Sequence, residues 1–354
     1  MGLSSYLWNA LPFMAMITVE CTDVGISVIS KAALSKGMSN VVSVTYFNAL
    51  GTLILLPYFI FCRDKQAPLT FSLLWRFFLL GLIGSSGQII FLTGVKFSSP
   101  TLSSALVNLI PIFTFLLAVI FRMEKLEMRK SSSQAKLLGA IVAVTGAFVV
   151  TLYKGPLVLM SSSHPFDSKQ SKWIIGGLSE QSKWIIGGFL LLLVCLSSAT
   201  WNVLQAATVK EYTDKMTIVF FFTFFIAIQS LVFSVILERN PTAWRLKSNE
   251  EVAAILCSAV FGSLYRISIH TWCLEKKGPV YVSMFKPLGI AVAVALTVIF
   301  LGESLFLGSV IGSTIILVGF YTVIWGQANE KNMLENEVCG LESSHQKTLL
   351  IRNS

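Results

Sequence analysis

The chain has 354 residues, of which 54% are hydrophobic and only 13% are charged, and its formal net charge is +9. Soluble domains carry about 25% charged residues, so this composition excludes an ordinary soluble protein and indicates one that lies mostly in lipid. The Lys and Arg residues stand in short gaps between apolar runs, where they orient membrane proteins, so we expect no nucleic-acid partner. The six cysteines are single and the three histidines are dispersed, which predicts no metal and no other cofactor.

Ten apolar runs follow one another along the chain, each long enough to cross a bilayer. About 20 apolar residues suffice for one crossing, and a helix satisfies its own backbone hydrogen bonds in lipid. The runs cover residues 8–33, 41–62, 73–95, 100–121, 136–153, 184–206, 216–237, 252–273, 279–301 and 304–326. The sequence therefore predicts an all-α membrane protein with ten transmembrane helices.

The first run contains "ITVECTDVGISVISKAAL" (17–34), which places Glu20, Asp23 and Lys31 inside an apolar helix. Glu20 lies about 18 Å from the start of this helix, near the bilayer midplane, and the other two share its stripe. A charge at a helix centre costs about 2.5–3.5 kcal/mol, so this face is expected to meet a polar interior. Glu20 and Asp23 either line a cavity, where Glu20 binds an ammonium group or carries a proton, or they pair with bases on other helices. Lys31 either faces the same interior or extends to the membrane surface.

Two amides in later runs are further candidates for a binding site. Asn108 stands three residues before Pro111, and the missing proline N–H frees a backbone carbonyl in that helix. Asn202 follows Trp201, whose ring can pack against the apolar part of a solute. Because buried amides need partners, each either contacts a solute or bonds a neighbouring helix.

Two bases lie inside later runs, Arg266 in the eighth and Lys286 in the ninth. An Arg side chain holds a carboxylate through two parallel hydrogen bonds, so a small acidic solute is one partner for these bases. In the alternative, Arg266 pairs with Glu20 or Asp23, and Lys286 extends to the membrane surface.

Internal repetition links the two halves of the chain. "SSPTLSSALVNLIPIFTFLLAVIFRMEKL" (98–126) aligns at one constant offset with "KGPVYVSMFKPLGIAVAVALTVIFLGESL" (277–305). The matched residues are Pro100 with Pro279, Glu124 with Glu303 and, after a shorter connection, Gly139 with Gly312 and Gly146 with Gly319. A repeat of five helices is odd in number, so the second copy is inserted upside down. Inverted repeats are frequent among secondary transporters, whose solute site lies near the midplane between the halves.

The stretch "KKGPVYVSMFKPLGIAVAVALTVIFLGESLFLGSVIGSTIILVGFYTVIWG" and, less specifically, "VECTDVGISVISKAALSKGMS" resemble the plant walls-are-thin-related proteins. This family, also called UMAMIT, belongs to the drug/metabolite transporter superfamily with two EamA halves. The resemblance covers roughly residues 8 to 327 and implies ten helices in an inverted five-plus-five repeat with cytosolic termini. It also implies transport of amino acids or auxin-like acids across the plasma or vacuolar membrane.

These observations predict a division of the chain into two halves with a connection and a tail. The first half is expected at 1–154, an outer connecting loop with a duplicated 11-mer at 155–183, the second half at 184–327 and a disordered cytosolic tail at 328–354. The inner segments carry more Lys and Arg than the outer ones, which places both termini in the cytosol, and we prefer the plasma membrane over the vacuolar one. The GxxxG spacing at 308–312 packs helices within the chain or, in the alternative, forms a homodimer.

The function predicted is a secondary transporter or facilitator that moves small organic solutes by alternating access, with no enzymatic activity. The expected partners are an amino acid or organic acid and membrane lipid, and the candidate solute-binding residues are Glu20, Asp23, Asn108, Asn202, Arg266 and Lys286. The alternatives are an integral-membrane enzyme and a non-transporting sensor or scaffold with a carrier fold. The sequence contains no HExxH motif and no GxxxxGK[ST] loop, which disfavours a membrane metalloprotease and an ATP-driven pump.

Overall fold

Helices account for nearly all of the regular structure. The computed structural model describes residues 3–35, 38–61, 70–98, 100–124, 130–153, 156–159, 180–212, 214–246, 248–301 and 305–352. Within these ranges the α-helices are α1 (Leu3–Ser35), α2 (Asn40–Phe61), α3 (Phe71–Phe97), α4 (Pro100–Val107), α5 (Ile110–Ile120), α6 (Ser131–Leu152), α7 (Glu180–Glu211), α8 (Lys215–Leu237), α9 (Asn249–Cys257), α10 (Arg266–Lys277), α11 (Pro279–Leu301) and α12 (Leu307–Arg352). A 3-10 turn (Pro241–Trp244) precedes α9, and a π-helical segment (Ser258–Tyr265) joins α9 to α10.

The described helices supply ten crossings. Eight stretches are long and apolar enough to span a membrane: α2, α3, α6, α7, α8, the continuous unit from α9 to α10, α11 and the first part of α12. The short helices α4 and α5 contain a further, shorter apolar stretch (Ala105–Ile120), and α1, with 33 residues, is long enough for a crossing although it carries Glu20 and Asp23. The prediction of an all-α membrane protein with ten transmembrane helices is confirmed.

One strand pair lies in the connections at one end of the bundle. Strand β1 (Leu157–Leu159), which follows α6, pairs antiparallel with β2 (Leu305–Phe306), which precedes α12. Residues 160–179, which include the first copy of the duplicated 11-mer, lie outside the described residues. The second copy belongs to the beginning of α7.

The packing of the helices has the two-fold character that an inverted repeat requires. Helix α1 packs against α10 and α11, and its counterpart α7 packs against α3 and α5. Helices α6 and α12 pack against each other through their glycines, Gly139 beside Gly319 and Gly146 beside Gly312. The sequence repeat matches these four glycines as Gly139 with Gly312 and Gly146 with Gly319. The contacts are crossed relative to this match, because each glycine of α6 lies beside the α12 glycine that matches the other glycine of α6. An isologous interface has this property.

The fourth crossing is broken at residues 108 and 109. Pro111 occupies the first turn of α5, a position where the missing N–H is tolerated, and it cannot donate to the carbonyl of Val107. The α-helical hydrogen bonds of α4 therefore end here, and the Asn108 and Leu109 amides bond the carbonyls of Ala105 and Leu106 instead. The carbonyl that the sequence predicts to be freed by Pro111 thus lies at an interruption between two helices.

The end of the bundle where α3, α8 and α11 begin carries Arg76, Lys136, Lys215 and Lys277, and we name it the basic end. Three clusters of buried apolar side chains lie toward this end, contributed by the starts of α1, α3, α8 and α11 and the ends of α5, α7 and α10. Ion pairs lie at the same end of the bundle. They join Arg76 with Glu211, Lys215 with Glu275 at 2.6 Å, and Lys136 with both Glu124 and Glu330. The packed core and these ion pairs therefore lie at the basic end.

Helix α12 differs from the sequence prediction at its far end. The sequence predicts a disordered tail from 328, whereas α12 continues as one helix to Arg352. The segment contains no proline, and Glu, Lys, Leu, Met and Gln, which are good helix formers, are frequent in it. Intrinsic propensity therefore extends the helix beyond the membrane-spanning part.

Candidate binding site

A cavity of about 330 Å³ lies between the two halves of the bundle. Its wall is built by α2 to α5 on one side and by α7, α8, the π-helical segment, α10 and α11 on the other. The polar lining residues are Asn48, Gln88, Ser197, Ser198, Asn202, Ser263, Arg266, His270, Ser283 and Lys286. The remainder is mainly apolar and includes Ile83, Phe91, Val107, Ile110, Val194, Trp201, Phe222 and Ile226. The volume and the mixed lining are typical of a site for one small organic molecule.

Four charged side chains meet at one wall of this cavity. The Lys286 ammonium lies 3.5 Å from Glu20 Oε1 and 3.8 Å from Asp23 Oδ2. The Arg266 Nε atom lies 4.0 Å from Asp23 Oδ1. The two acids come from α1, in the first half of the chain, and the two bases come from α10 and α11, in the second half. This charge cluster, defined as Glu20, Asp23, Arg266 and Lys286, therefore connects the halves near the centre of the membrane.

The π-helical segment sets the direction of Arg266. The backbone N–H of Arg266 bonds the carbonyl of Phe261, and its side-chain Nε–H donates to the carbonyl of Gly262 at 2.9 Å. π-helical segments occur frequently at functional sites. Because Nε is held by its own helix, the two terminal nitrogens of the guanidinium extend beyond it.

Those two terminal nitrogens have no hydrogen-bond acceptor among the described residues. The Arg266 side chain is 36% exposed and that of Lys286 is 28% exposed, and both line the cavity. A guanidinium with both terminal nitrogens available matches a carboxylate in geometry as well as in charge. The wall thus offers one bidentate position for an anionic group, with an ammonium beside it.

Gly289 makes the close approach of Glu20 to α11 possible. A Cβ atom at position 289 would lie 3.2 Å from Glu20 Cδ and closer still to Glu20 Oε2. Gly289 is three residues beyond Lys286, so it shares the same face of α11. Without a side chain there, the Glu20 carboxylate packs against the helix backbone and remains buried beside the Lys286 ammonium.

The structure brings most of the predicted site residues together, but it does not give them equal positions. Arg266, Lys286 and Asn202 line the cavity. Glu20 and Asp23 are not among the described lining residues, although they lie 3.5–4.0 Å from the two bases that are. The sequence alternative in which Arg266 pairs with an acid of α1 is therefore the observed arrangement.

Asn108 lies beside the cavity rather than in its lining. It is buried at the helix break, whereas its neighbours Val107 and Ile110 contribute to the wall. Lys31 is a further candidate of the sequence, but its side chain lies outside the described part of the structure.

His270 and Ser263 are among the polar lining residues that the sequence did not single out. His270 is buried one helical turn beyond Arg266, and Ser263 lies three residues before it. Both residues lie about one helical turn from Arg266, a base inside an apolar run. This spacing is the feature of the sequence that could have indicated them. Within the described residues, no group of three or more His, Cys, Asp or Glu side chains is placed to hold a metal ion.

Comparison with known proteins identifies the family. The model of the EamA-like transporter family matches residues 14–152 and again residues 185–325. The chain belongs to the EamA-like transporter family. The WAT1-related protein At5g40240 of Arabidopsis thaliana is 46% identical over 95% of this chain and 91% of its own length. The WAT1-related protein At3g28050 of the same plant is 43% identical over 93% of this chain and 89% of its own length.

A solved structure, "Crystal structure of protein", resembles the chain in fold alone. Its TM-score is 0.63 at 13% sequence identity, and the match covers 88% of this chain and 96% of that one. The double EamA match, the relatives and the ten crossings make this EamA-like protein a multi-pass membrane transporter of solutes. The cavity between the halves, with its charge cluster, is the candidate place for the solute.

Proposed function

We propose that this EamA-like transporter moves small organic acids of the auxin type, or amino acids, by alternating access around the central cavity. The observation that carries the proposal is the Arg266 guanidinium at the cavity wall, with Lys286 beside it. A solute carboxylate would accept two hydrogen bonds from the terminal nitrogens of Arg266. The same carboxylate would lie close to the Lys286 ammonium.

The remaining lining supports a solute with a large apolar part. Trp201 packs against Phe222 with their ring centroids 5.5 Å apart, and Phe91 and Ile226 line the same space. Aromatic walls bind planar rings well, because stacked and tilted rings both gain contact area. The amide of Asn202, next to Trp201, would bond a polar atom of the solute.

The lining favours an acid without an ammonium group over a zwitterionic amino acid. No acidic side chain occurs among the described residues that line the cavity, and Glu20 and Asp23 pair with the two bases without lining it. An ammonium group in the cavity would therefore find only neutral acceptors among the lining residues, and the charged groups that line the cavity, Arg266 and Lys286, are both basic. Auxin-like acids are thus our first candidates, and amino acids are the second.

The proposal also includes the orientation of the helix bundle in the membrane. We place the basic end and both termini in the cytosol, since positive residues are retained there, and we prefer the plasma membrane to the vacuolar one. In this conformation the apolar clusters close the cytosolic side. Rocking of the half at 1–154 against the half at 184–327 would open that side and close the other.

Uptake into a transport-deficient host tests the proposal with variants of Arg266. Both Arg266→Gln and Arg266→Lys should lower uptake of radiolabelled auxin by about tenfold or more, because the lysine keeps the charge but lacks the planar pair of donors. Arg245→Gln, which changes an exposed residue far from the cavity, is the matched control. The neutral amide of auxin should not compete with the acid.

Two results would contradict the proposed function. One is wild-type uptake of auxin and amino acids by Arg266→Gln at equal membrane abundance. The other is equal competition by the acid and its amide, since a carboxylate contact with Arg266 predicts a clear difference between them.

A further inference from the structure

The two acids of the charge cluster are held differently. Glu20 is 6% exposed and is packed against α11 beside Lys286 alone. Asp23 is 25% exposed and lies at longer distances, 3.8 and 4.0 Å, from both bases. Among the described residues, no base donates a hydrogen bond to the Asp23 carboxylate. Asp23 is therefore the more exposed of the two acids, and it lies near both Arg266 and Lys286.

We propose that Asp23 is a positioning residue that neutralises Arg266 and Lys286 in the empty transporter and is displaced from them by the carboxylate of the solute. This inference rests on the proposed function, because it needs an acidic solute at Arg266. In this role Asp23 competes with the solute for the two bases and does not itself contact the solute.

Charge counting in the cluster supports this exchange. The empty site holds two acids and two bases, so its net charge is zero. A solute carboxylate that binds both bases has to replace an anion already beside them, since two carboxylates on the same pair of cations repel each other. Asp23 is the acid that can leave, because a quarter of its side chain is uncovered and it lies 3.8 and 4.0 Å from the two bases, whereas Glu20 is enclosed by α11.

The exchange also couples solute binding to movement between the halves. Asp23 belongs to α1 in the first half, and both of its basic partners belong to the second half. When the solute takes these partners, the attraction between α1 and the unit of α10 and α11 weakens. The loaded transporter then has fewer contacts holding its halves in the present conformation.

Removal of the Asp23 charge should therefore separate two transport modes. In Asp23→Asn the loaded site is neutral, since Glu20 and the solute balance the two bases, so solute exchange should persist. The empty site then carries one uncompensated positive charge, which disfavours passage through an enclosed state. Net uptake requires the empty transporter to return, so net uptake should slow.

Purified protein in proteoliposomes, with radiolabelled auxin as the probe, measures the dissociation constant, net uptake and exchange separately. For Asp23→Asn we expect a Kd about tenfold lower, net uptake about tenfold slower and exchange within about twofold of wild type. Asp23→Glu, which keeps the charge, should retain both transport modes. A merely structural role for Asp23 would lower exchange and net uptake together and would not tighten binding.

A double variant guards against loss of folding in the single one. Asp23→Asn with Arg266→Gln leaves Glu20 and Lys286 as a balanced pair, so its ratio of net uptake to exchange should return to the wild-type ratio. A ratio that stays low in the double variant contradicts the inference, as does an unchanged or higher Kd in Asp23→Asn. Failure of the proposed function gives a different result from failure of this inference. If the proposed function is wrong, auxin will bind normally to the single variant Arg266→Gln, which retains Asp23.

Discussion

Substitution of Gly146 by alanine should separate α6 from α12 and destabilise the protein. A Cβ atom at position 146 would lie 2.7 Å from the Ile316 nitrogen and 2.8 Å from the Gly312 carbonyl oxygen. Ordinary contacts of a Cβ begin at 3.4 Å. Both obstructing atoms belong to a helix backbone and cannot rotate away, so the two helices have to move apart by roughly half an ångström or more.

Overpacking of this kind costs about 1–3 kcal/mol, and we expect the upper part of this range because backbone atoms are involved. The expected loss in melting temperature is on the order of 2–6 °C, measured on detergent-purified protein by thermal unfolding. Gly25→Ala in α1 is the matched control, since a Cβ there has no other atom within 4 Å. The control should be neutral or slightly stabilising, because alanine is the better helix former.

A Gly146→Ala protein that melts with the Gly25→Ala control would refute the close packing of α6 on α12. The same result would remove the main contact that gives the two halves their two-fold arrangement. A parallel measurement on Gly319→Ala checks the counterpart position, where a Cβ would lie 2.7 Å from the Gly139 carbonyl oxygen.

Two further predictions concern buried charges. Glu20→Gln and Gly289→Ala should each lower auxin uptake by about tenfold at unchanged membrane abundance, because each weakens the contact between Glu20 and Lys286. Normal uptake by both variants would rule out a role for that contact in transport. Lys136→Met should lower the free energy of unfolding by about 2 kcal/mol, because Glu124 and Glu330 lose their buried partner, whereas Lys215→Met should cost less than about 1 kcal/mol since that pair is one-third exposed. Equal thermal stability of the two lysine variants would contradict this difference in burial.

The amino-acid sequence is sufficient to establish the membrane class, the ten crossings and the inverted repeat. Each of these depends on a property that is local along the chain, such as the length of an apolar run or the spacing of matched prolines and glycines. The charged face of α1 is also a local property, because residues three apart lie on one side of any helix. For this reason Glu20 and Asp23 could be assigned to a polar interior without knowledge of their neighbours.

Only the tertiary structure decides which charged groups meet and which of them reach the cavity. Arg266 and Lys286 line it, whereas Glu20 and Asp23 pair with these bases without lining it and Asn108 is buried outside the lining. The hydropathy pattern does not fix the rotation of each helix about its axis, the π-helical segment before Arg266 or the break after Val107. A small rotation exchanges a lining residue for its neighbour without any change in hydropathy pattern. The sequence therefore determines which helices are polar on one side, and the packing between helices determines what that polarity binds.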